Sequence, residues 1–464
     1  MSNNTTEMEL DQTQSSSLQQ VAVLQGHSDR AWSVSWHPSK PILASSSTDK
    51  QIKLYKYQIC STQRPLNLIP EETKPIKKTS FRFDYLDSIP TGHTRTVRSI
   101  QWNPSGNMLA SGSFDSTVSI WSNTHPLTKP DLTTHQDRWE SEIEAEETQN
   151  LESQNDTTDW ECMMSLEGHE SEIKGVAWNR NGKLMATCSR DKSVWVWEIL
   201  TDSEVNEGIV TDDGGYEVLS VLMEHEADVK SVCWSPKEDL LCSTSYDNHL
   251  HLYSEDVSSD GDFTLIHKLI GHTSTVWDAS FSACGEFISS CSDDLSIRIW
   301  SREKVLKGGI EGRDGGLNGG WRIGRSERER WSCVYVLEGF HKRTIYSIDW
   351  TFWGNVEDQI KGNEGEHLGY IATGAGDGKI NIFTIHRGTS VSGLDSTNPK
   401  PEIDLLIQQK NAHGVTDINS VRWCKIQDST NSNSTNNPNW RSEAKQLLAS
   451  VGDDGMTKVW SLNL

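Results

Sequence analysis

Seven histidines mark out a repeat that runs the length of the chain. His27, His93, His169, His225 and His272 each precede an aspartate by 22 residues, namely Asp49, Asp115, Asp191, Asp247 and Asp294. Two further copies, His341 with Asp377 and His413 with Asp454, carry insertions between the same partners. Six residues after every aspartate stands an aromatic residue: Tyr55, Trp121, Trp197, Tyr253, Trp300, Phe383 and Trp460. Four residues before it stands a hydroxyl: Ser45, Ser111, Thr187, Ser243, Ser290, Thr373 and Ser450. Nine or ten residues after each histidine comes another aromatic, Trp36, Trp102, Trp178, Trp234, Phe281, Trp350 and Trp423. A unit this small cannot bury an apolar face alone, so self-similarity at a fixed period means that copies of it stack.

Stretches such as SVWVW at 193–197 and SIRIW at 296–300 alternate with period two, the pattern of strands packed on one face. Repeats of roughly 40 residues built from such strands predict a β-propeller. From about Leu18 onward the copies resemble WD40 repeats, although they end WS, WE, YK, YS or FT and none ends in the WD dipeptide. The expected fold is all-β, a seven-bladed WD40 propeller of four-stranded antiparallel blades. The seventh copy stops after a third strand, at Trp460-Ser-Leu-Asn-Leu. The stretch VAVLQGH at 21–27 is therefore expected to pair with that strand and close the ring, covering two open edges at once.

The sets His93, Ser111, Asp115, Trp121, then His169, Thr187, Asp191, Trp197, then His272, Ser290, Asp294, Trp300 are placed to form a hydrogen-bonded chain across a blade. His, Ser and Asp together also spell a hydrolase triad, but a catalytic constellation is needed once and this one recurs seven times. The network reads as structural, and no catalytic residue is expected. Phe383 cannot donate a hydrogen bond, so the sixth network is expected to be the weakest.

Residues 1–17 are expected to be a disordered tail and 18–464 a single propeller, with flexible insertions at about 122–159, 302–330, 354–367 and 426–445. The stretch 131–161 alone holds eleven Asp or Glu. A formal charge of −23 argues against nucleic-acid or anionic-membrane partners. With no run of 18 apolar residues and no signal-like start, the chain reads as soluble and intracellular. Nine cysteines occur without a single CxxC, so neither a metal site nor a cofactor is expected.

Two rings of residues should face one mouth of the propeller. The position before each turn aspartate holds Thr48, Phe114, Arg190, Tyr246, Asp293, Gly376 and Asp453. The position five or six residues after each histidine holds Trp32, Arg98, Lys174, Lys230, Trp277, Tyr346 and Asn419. The candidate partner-binding residues are Arg190, Phe114, Tyr246, Arg98, Lys174, Lys230, Trp32, Trp277 and Tyr346. They make a mouth that is predominantly basic and aromatic, suited to gripping a carboxylate beside an apolar group.

Three stretches are more specific: LEGHESEIKGVAW at 166–178, ATCSRDKSVWVWE at 186–198, and GFHKRTIYSIDW at 339–350, where Phe-His replaces Gly-His. Together they resemble the WD40 subunit of the cytosolic iron–sulfur protein assembly targeting complex, over all seven repeats. The resemblance implies a non-catalytic scaffold of the cytosol and nucleus. Its implied partners are a small MIP-type protein, a large HEAT-repeat protein, an iron-only-hydrogenase-like protein and apo iron–sulfur clients, whose C-terminal tails end in an aromatic residue after an acidic one. It also implies that Arg190, in SRDKS, matches a functional arginine of the family. The alternative is a substrate receptor of a ubiquitin ligase or another peptide-binding scaffold. A histone-tail reader would call for an acidic mouth.

Overall fold

The computed structural model describes residues 16–61, 79–123, 160–199, 215–256, 261–304, 329–354, 366–388, 400–426 and 446–464. Most of the expected tail and of the four expected insertions lies outside them. Where the two meet, strands run a few residues into the expected insertions, to Asn123 and Lys304 and from Glu329 and His367.

Among the described residues twenty-eight strands form seven four-stranded antiparallel sheets arranged in a ring. Blades 1 to 7 start their inner strands at Ala31, Val97, Ile173, Val229, Val276, Ile345 and Ile418. In blades 1 to 6 the four strands follow in chain order from the centre outward. In blade 7 the fourth place is taken by Ser17–Leu24, which pairs with Thr457–Asn463 from Ser17 opposite Asn463 to Leu24 opposite Thr457. The closure strand is therefore the expected one, and it starts four residues earlier than VAVLQGH.

Alternation along each strand gives each blade two apolar faces, and the core consists of what these faces enclose. Seven clusters fill the seven gaps between neighbouring blades. Inner strands are also stitched by side chains. Ser33 and Ser35 of blade 1 accept the amides of Ile100 and Trp102, and Ser99 and Gln101 of blade 2 accept those of Val176 and Trp178. Asp278 and Ser280 do the same for Ile348 and Trp350, and Ser347 and Asp349 for Val421 and Trp423. Gly175 and Ala177 stand at these positions in blade 3, so the seam between blades 3 and 4 lacks these two bonds. It is held by apolar packing, by the Trp234 indole donating to the Ala177 carbonyl, by the Asn179 amide donating to Asp239 and by the Phe263 N–H donating to Ser220.

Within blade 3, Trp197 donates to Thr187 Oγ1 at 2.9 Å, Thr187 Oγ1 lies 2.8 Å from His169 Nε2, and His169 Nδ1 lies 2.7 Å from Asp191. The tautomer that satisfies all of them has His169 donating from Nδ1 and accepting at Nε2. The second carboxylate oxygen of Asp191 receives the Ser193 amide, and Glu170 N–H joins His169 on the first. These bonds pin a tight turn in which the residue after each aspartate takes a positive φ of 66–75° in all seven blades, with glycine there only in blades 6 and 7. The same contacts recur at His93, Ser111, Asp115 and Trp121 and at His272, Ser290, Asp294 and Trp300. In blade 6, where Phe383 cannot donate, the Asn381 amide donates to His341 Nε2 at 3.0 Å and restores a donor that the sequence pattern did not reveal.

Candidate functional site

The turn aspartates and the starts of the inner strands lie at the same end of the ring, and a repeated backbone bond fixes their spacing. The residue before each turn aspartate donates its amide to a carbonyl just ahead of the inner strand: Phe114 to Thr96, Arg190 to Glu172, Tyr246 to Asp228, and so on around all seven blades. This third ring, three or four residues after each histidine, reads Arg30, Thr96, Glu172, Asp228, Thr275, Thr344 and Asp417. It was missed as functional sequence. The spacing EIK at 172–174 and DVK at 228–230, acid then lysine on one side of a strand, was the available signal.

All seven residues of the second ring line a cavity of about 290 Å³ at the centre of this end, together with Phe114, Arg30, Asp417 and Asp453. The cations around it lie against aromatic rings. Arg98 lies 4.8 Å from the Trp32 ring, Lys174 lies 4.0 Å from Phe114, and Lys230 lies 5.3 and 5.2 Å from Tyr246 and Trp277. Trp277 meets Tyr346 edge-on at 5.0 Å. Seven of the nine candidates thus line the cavity. Arg190 and Tyr246 do not: they stand on the rim outside it, 58% and 60% exposed.

The rim is a continuous run of contacts across blades 2 to 4. Glu172 gathers three cations, Arg95 at 3.1 Å, Lys174 at 3.4 Å and Arg190 at 3.1 Å. Burial pushes the Glu172 carboxyl up, but Lys174, Arg190 and Arg95 together hold it below the usual carboxylate range. Asp228 lies 3.9 Å from Arg190 and 3.3 Å from Lys230, which carries the run on to Tyr246. The hydrogen bond from Arg190 to Glu172, with the charges of Glu172 and Asp228, raises the arginine further.

The mouth is thus less basic than its ring residues suggested. Lys174, Lys230 and Arg190 each pair with Glu172 or Asp228, acids that belong to neither ring and that offset two of the four positive charges these cations and Arg95 bring. Among the described residues Arg98 is the one cation of the second ring with no carboxylate in ion-pair distance. Burial lowers its pKa to about 10, Asp278 opposing and Arg422 adding to the fall. Below it, Arg422 and Asp278 pair at 2.9 Å across the channel, with Ser231 and Ser347 also bonded to the carboxylate.

His225, Asp247 and His251 bring potential metal-ligand atoms within 4.8 Å of one another. The two imidazoles stack in parallel at 3.8 Å, so their ring-plane lone pairs run side by side and do not converge on one point. Burial, then the neighbouring His225, pushes His251 down to about 3, so the His251 ring is neutral. Cys188, Cys242, Cys291 and Cys424 are buried, and burial raises each thiol, Cys424 to about 12. Such thiols are poorly disposed to become the thiolates that ligate iron.

A family model described as "WD domain, G-beta repeat" matches residues 18–56, 86–122, 160–198, 216–254 and 263–301. The chain is similar to a "Probable cytosolic iron-sulfur protein assembly protein 1" from Mycosarcoma maydis, 38% identical over 468 residues, covering 96% of this chain and 93% of that one. Proteins with the same name from Cryptococcus neoformans var. neoformans serotype D (strain JEC21) and Candida albicans (strain SC5314) are each 32% identical. They cover 96% and 95% of this chain, and 98% of their own length.

Proposed function

The chain belongs to the WD40-repeat family of cytosolic iron-sulfur protein assembly protein 1, and from that premise we propose that it is a non-catalytic adaptor that helps deliver iron–sulfur clusters to apoproteins. The clusters are its cargo. A rigid ring with one concave, chemically patterned end suits a part whose task is to hold other proteins in a fixed relation. The constellation that could pass for catalytic machinery, His–Ser/Thr–Asp, is spent seven times over on turns.

The partners under this reading are a small MIP-type protein, a large HEAT-repeat protein, an iron-only-hydrogenase-like protein and apo iron–sulfur clients. The adaptor works in the cytoplasm, the compartment named for its relatives, and in the nucleus. The docking end is the one bearing the cavity. The observation that carries this choice is the rim of blades 2 to 4, where Arg190 is exposed yet held in place by Glu172 and Asp228. A guanidinium oriented in advance loses less freedom when it grips a partner carboxylate.

Co-purification of wild type and Arg190→Glu with the MIP-type and HEAT-repeat partners, and with a client bearing an acidic-aromatic tail, tests the reading. Loss of one of the three from a mutant with an unchanged circular dichroism spectrum is the expected result. Retention of all three would return Arg190 to the surface ion pairs.

A further inference from the structure

Seven copies of one unit provide six internal controls for every position, and on the outer strands one blade departs from the rest. In blade 3, Val218 and Val221 of the strand Tyr216–Leu222 lie opposite Trp197 and Trp195, and Met223 follows on the same side. All three are exposed, at 40%, 45% and 71%. Every other blade places a polar residue within the corresponding trio, Ser88, Ser165, Lys268, Glu338, Gln408 or Gln20. The residue beneath also departs. Trp195 stands where the other blades have Lys53, Ser119, His251, Arg298, Asn381 and Lys458. Its ring stacks on Trp197 at 5.3 Å, and Tyr216 meets Trp197 at 6.0 Å, so the apolar strip has a rigid aromatic floor.

Such a strand is unusual at the margin of a sheet, where proteins ordinarily place charges to discourage pairing with other chains. Among the described residues, Glu217–Met223 makes no backbone–backbone hydrogen bond except to the third strand of its own blade. The charges on the strand itself and on the segment that leaves it have one sign. From Tyr216 to Val229 the chain has Glu217, Glu224, Glu226 and Asp228 and no lysine or arginine. The adjoining outer strand of blade 2 exposes Glu161 and begins its exit with exposed Glu167.

We propose that the outer edge of blade 3 is a second docking site, which accepts an extended segment of a partner protein as a fifth strand. The segment has alternating apolar side chains to lie beside Val218, Val221 and Met223, and lysine or arginine at its ends to meet the flanking glutamates. Main-chain hydrogen bonds to an open edge give such a complex its affinity, and the alternate side chains and flanking charges give it specificity. At about 3.3 Å per residue the strand offers roughly 20 Å of edge, enough for six or seven partner residues. The site stands apart from the rim, and the proposal does not depend on what binds there.

The test uses the full-length chain and a fluorescein-labelled peptide in which three valines alternate with threonines between paired lysines. Anisotropy reads binding and amide hydrogen exchange reads its location. Saturable binding with slowed exchange confined to 216–223 is expected. Val221→Lys should weaken it by about tenfold or more, as should replacing the peptide lysines by glutamates, while Leu265→Lys on blade 4 and Arg190→Glu on the rim leave it unchanged. Should Val221→Lys lower the melting temperature, Met223→Lys carries the same test from a side chain that lies in solvent. Binding indifferent to both variants, protection elsewhere, or no binding overturns the proposal. So does a free chain that sediments as a dimer dissolved by Val221→Lys, since a second copy would then be the occupant. Amides of 216–223 that lose protection when residues 201–214 are deleted would make the chain's own segment the occupant, with the same consequence.

Discussion

Removing the grip of the closure strand should open the ring, and its cost follows from two leucines. Leu18 packs into the cluster between blades 6 and 7, and Leu24 into the cluster between blades 7 and 1, each only 8% exposed. Truncating a buried leucine to alanine costs about 2–5 kcal/mol, and a site at a strand margin collapses more readily than one at the centre, so about 2–3 kcal/mol is expected for each. Extended chain holds the two about 20 Å apart, beyond the range at which such effects couple, and the double variant Leu18→Ala/Leu24→Ala should lose about 5 kcal/mol. That is a third or more of the stability of most domains. Urea unfolding followed by tryptophan fluorescence measures it: the midpoint should fall with the slope unchanged. Val23→Ala, on the same strand but exposed, should cost less than about 1 kcal/mol. Deleting residues 1–24 outright leaves Thr457–Asn463 as a bare edge bearing Val459, Trp460 and Leu462, and aggregation is expected. A double variant within about 1 kcal/mol of wild type would refute the reasoning. So would a truncated chain that unfolds cooperatively at the wild-type midpoint.

Two further outcomes follow from charges held inside the ring. Burial pushes the turn aspartates up, but their histidine and amide partners outweigh it, bringing Asp377 down to about 2 and Asp115, Asp191, Asp247 and Asp294 lower still. Carboxyls depressed on folding stabilise the protein above their unfolded pKa, near 3.9, and that stability is lost as pH falls toward the folded values. The melting temperature should therefore drop steeply between about pH 4 and pH 2, less steeply in Asp191→Asn, and a flat profile there would contradict the network. In the channel, Asp278→Ala strands the Arg422 guanidinium without its buried partner and should cost about 3–5 kcal/mol, of which Asp278→Ala/Arg422→Met recovers most. Equal thermal stability of the single and double variants would show that the ion pair is not coupled.

Much of the architecture was legible because one unit is written seven times. The offsets of His, Ser or Thr, Asp and Trp are local, set by turn geometry and strand period, so they survive in the sequence even where insertions separate them, as between His341 and Asp377. The missing outer strand of the last copy could be counted, and its partner found at the other terminus. The candidate face was legible only in part. Ring membership of Arg98, Lys174 and Trp277 followed from spacing, but the charge they present did not. Lys174 and Lys230 meet acids two residues away in their own blades. Whether a rim arginine also pairs across a seam depends on which acid the neighbouring blade brings to it, as Glu172 does for Arg95 and Asp228 does for Arg190. The Asn381 donor in blade 6 was hidden because the residue at its repeat position varies from blade to blade, and the Arg422–Asp278 pair because it joins positions across the channel that the repeat does not relate by a fixed offset. Repetition, which is local and periodic, thus determined the number of blades, their strands and the closure of the ring. The electrostatics of the mouth was decided only when separate blades were packed side by side, because an ion pair is a property of distance in space and the sequence records distance only along the chain.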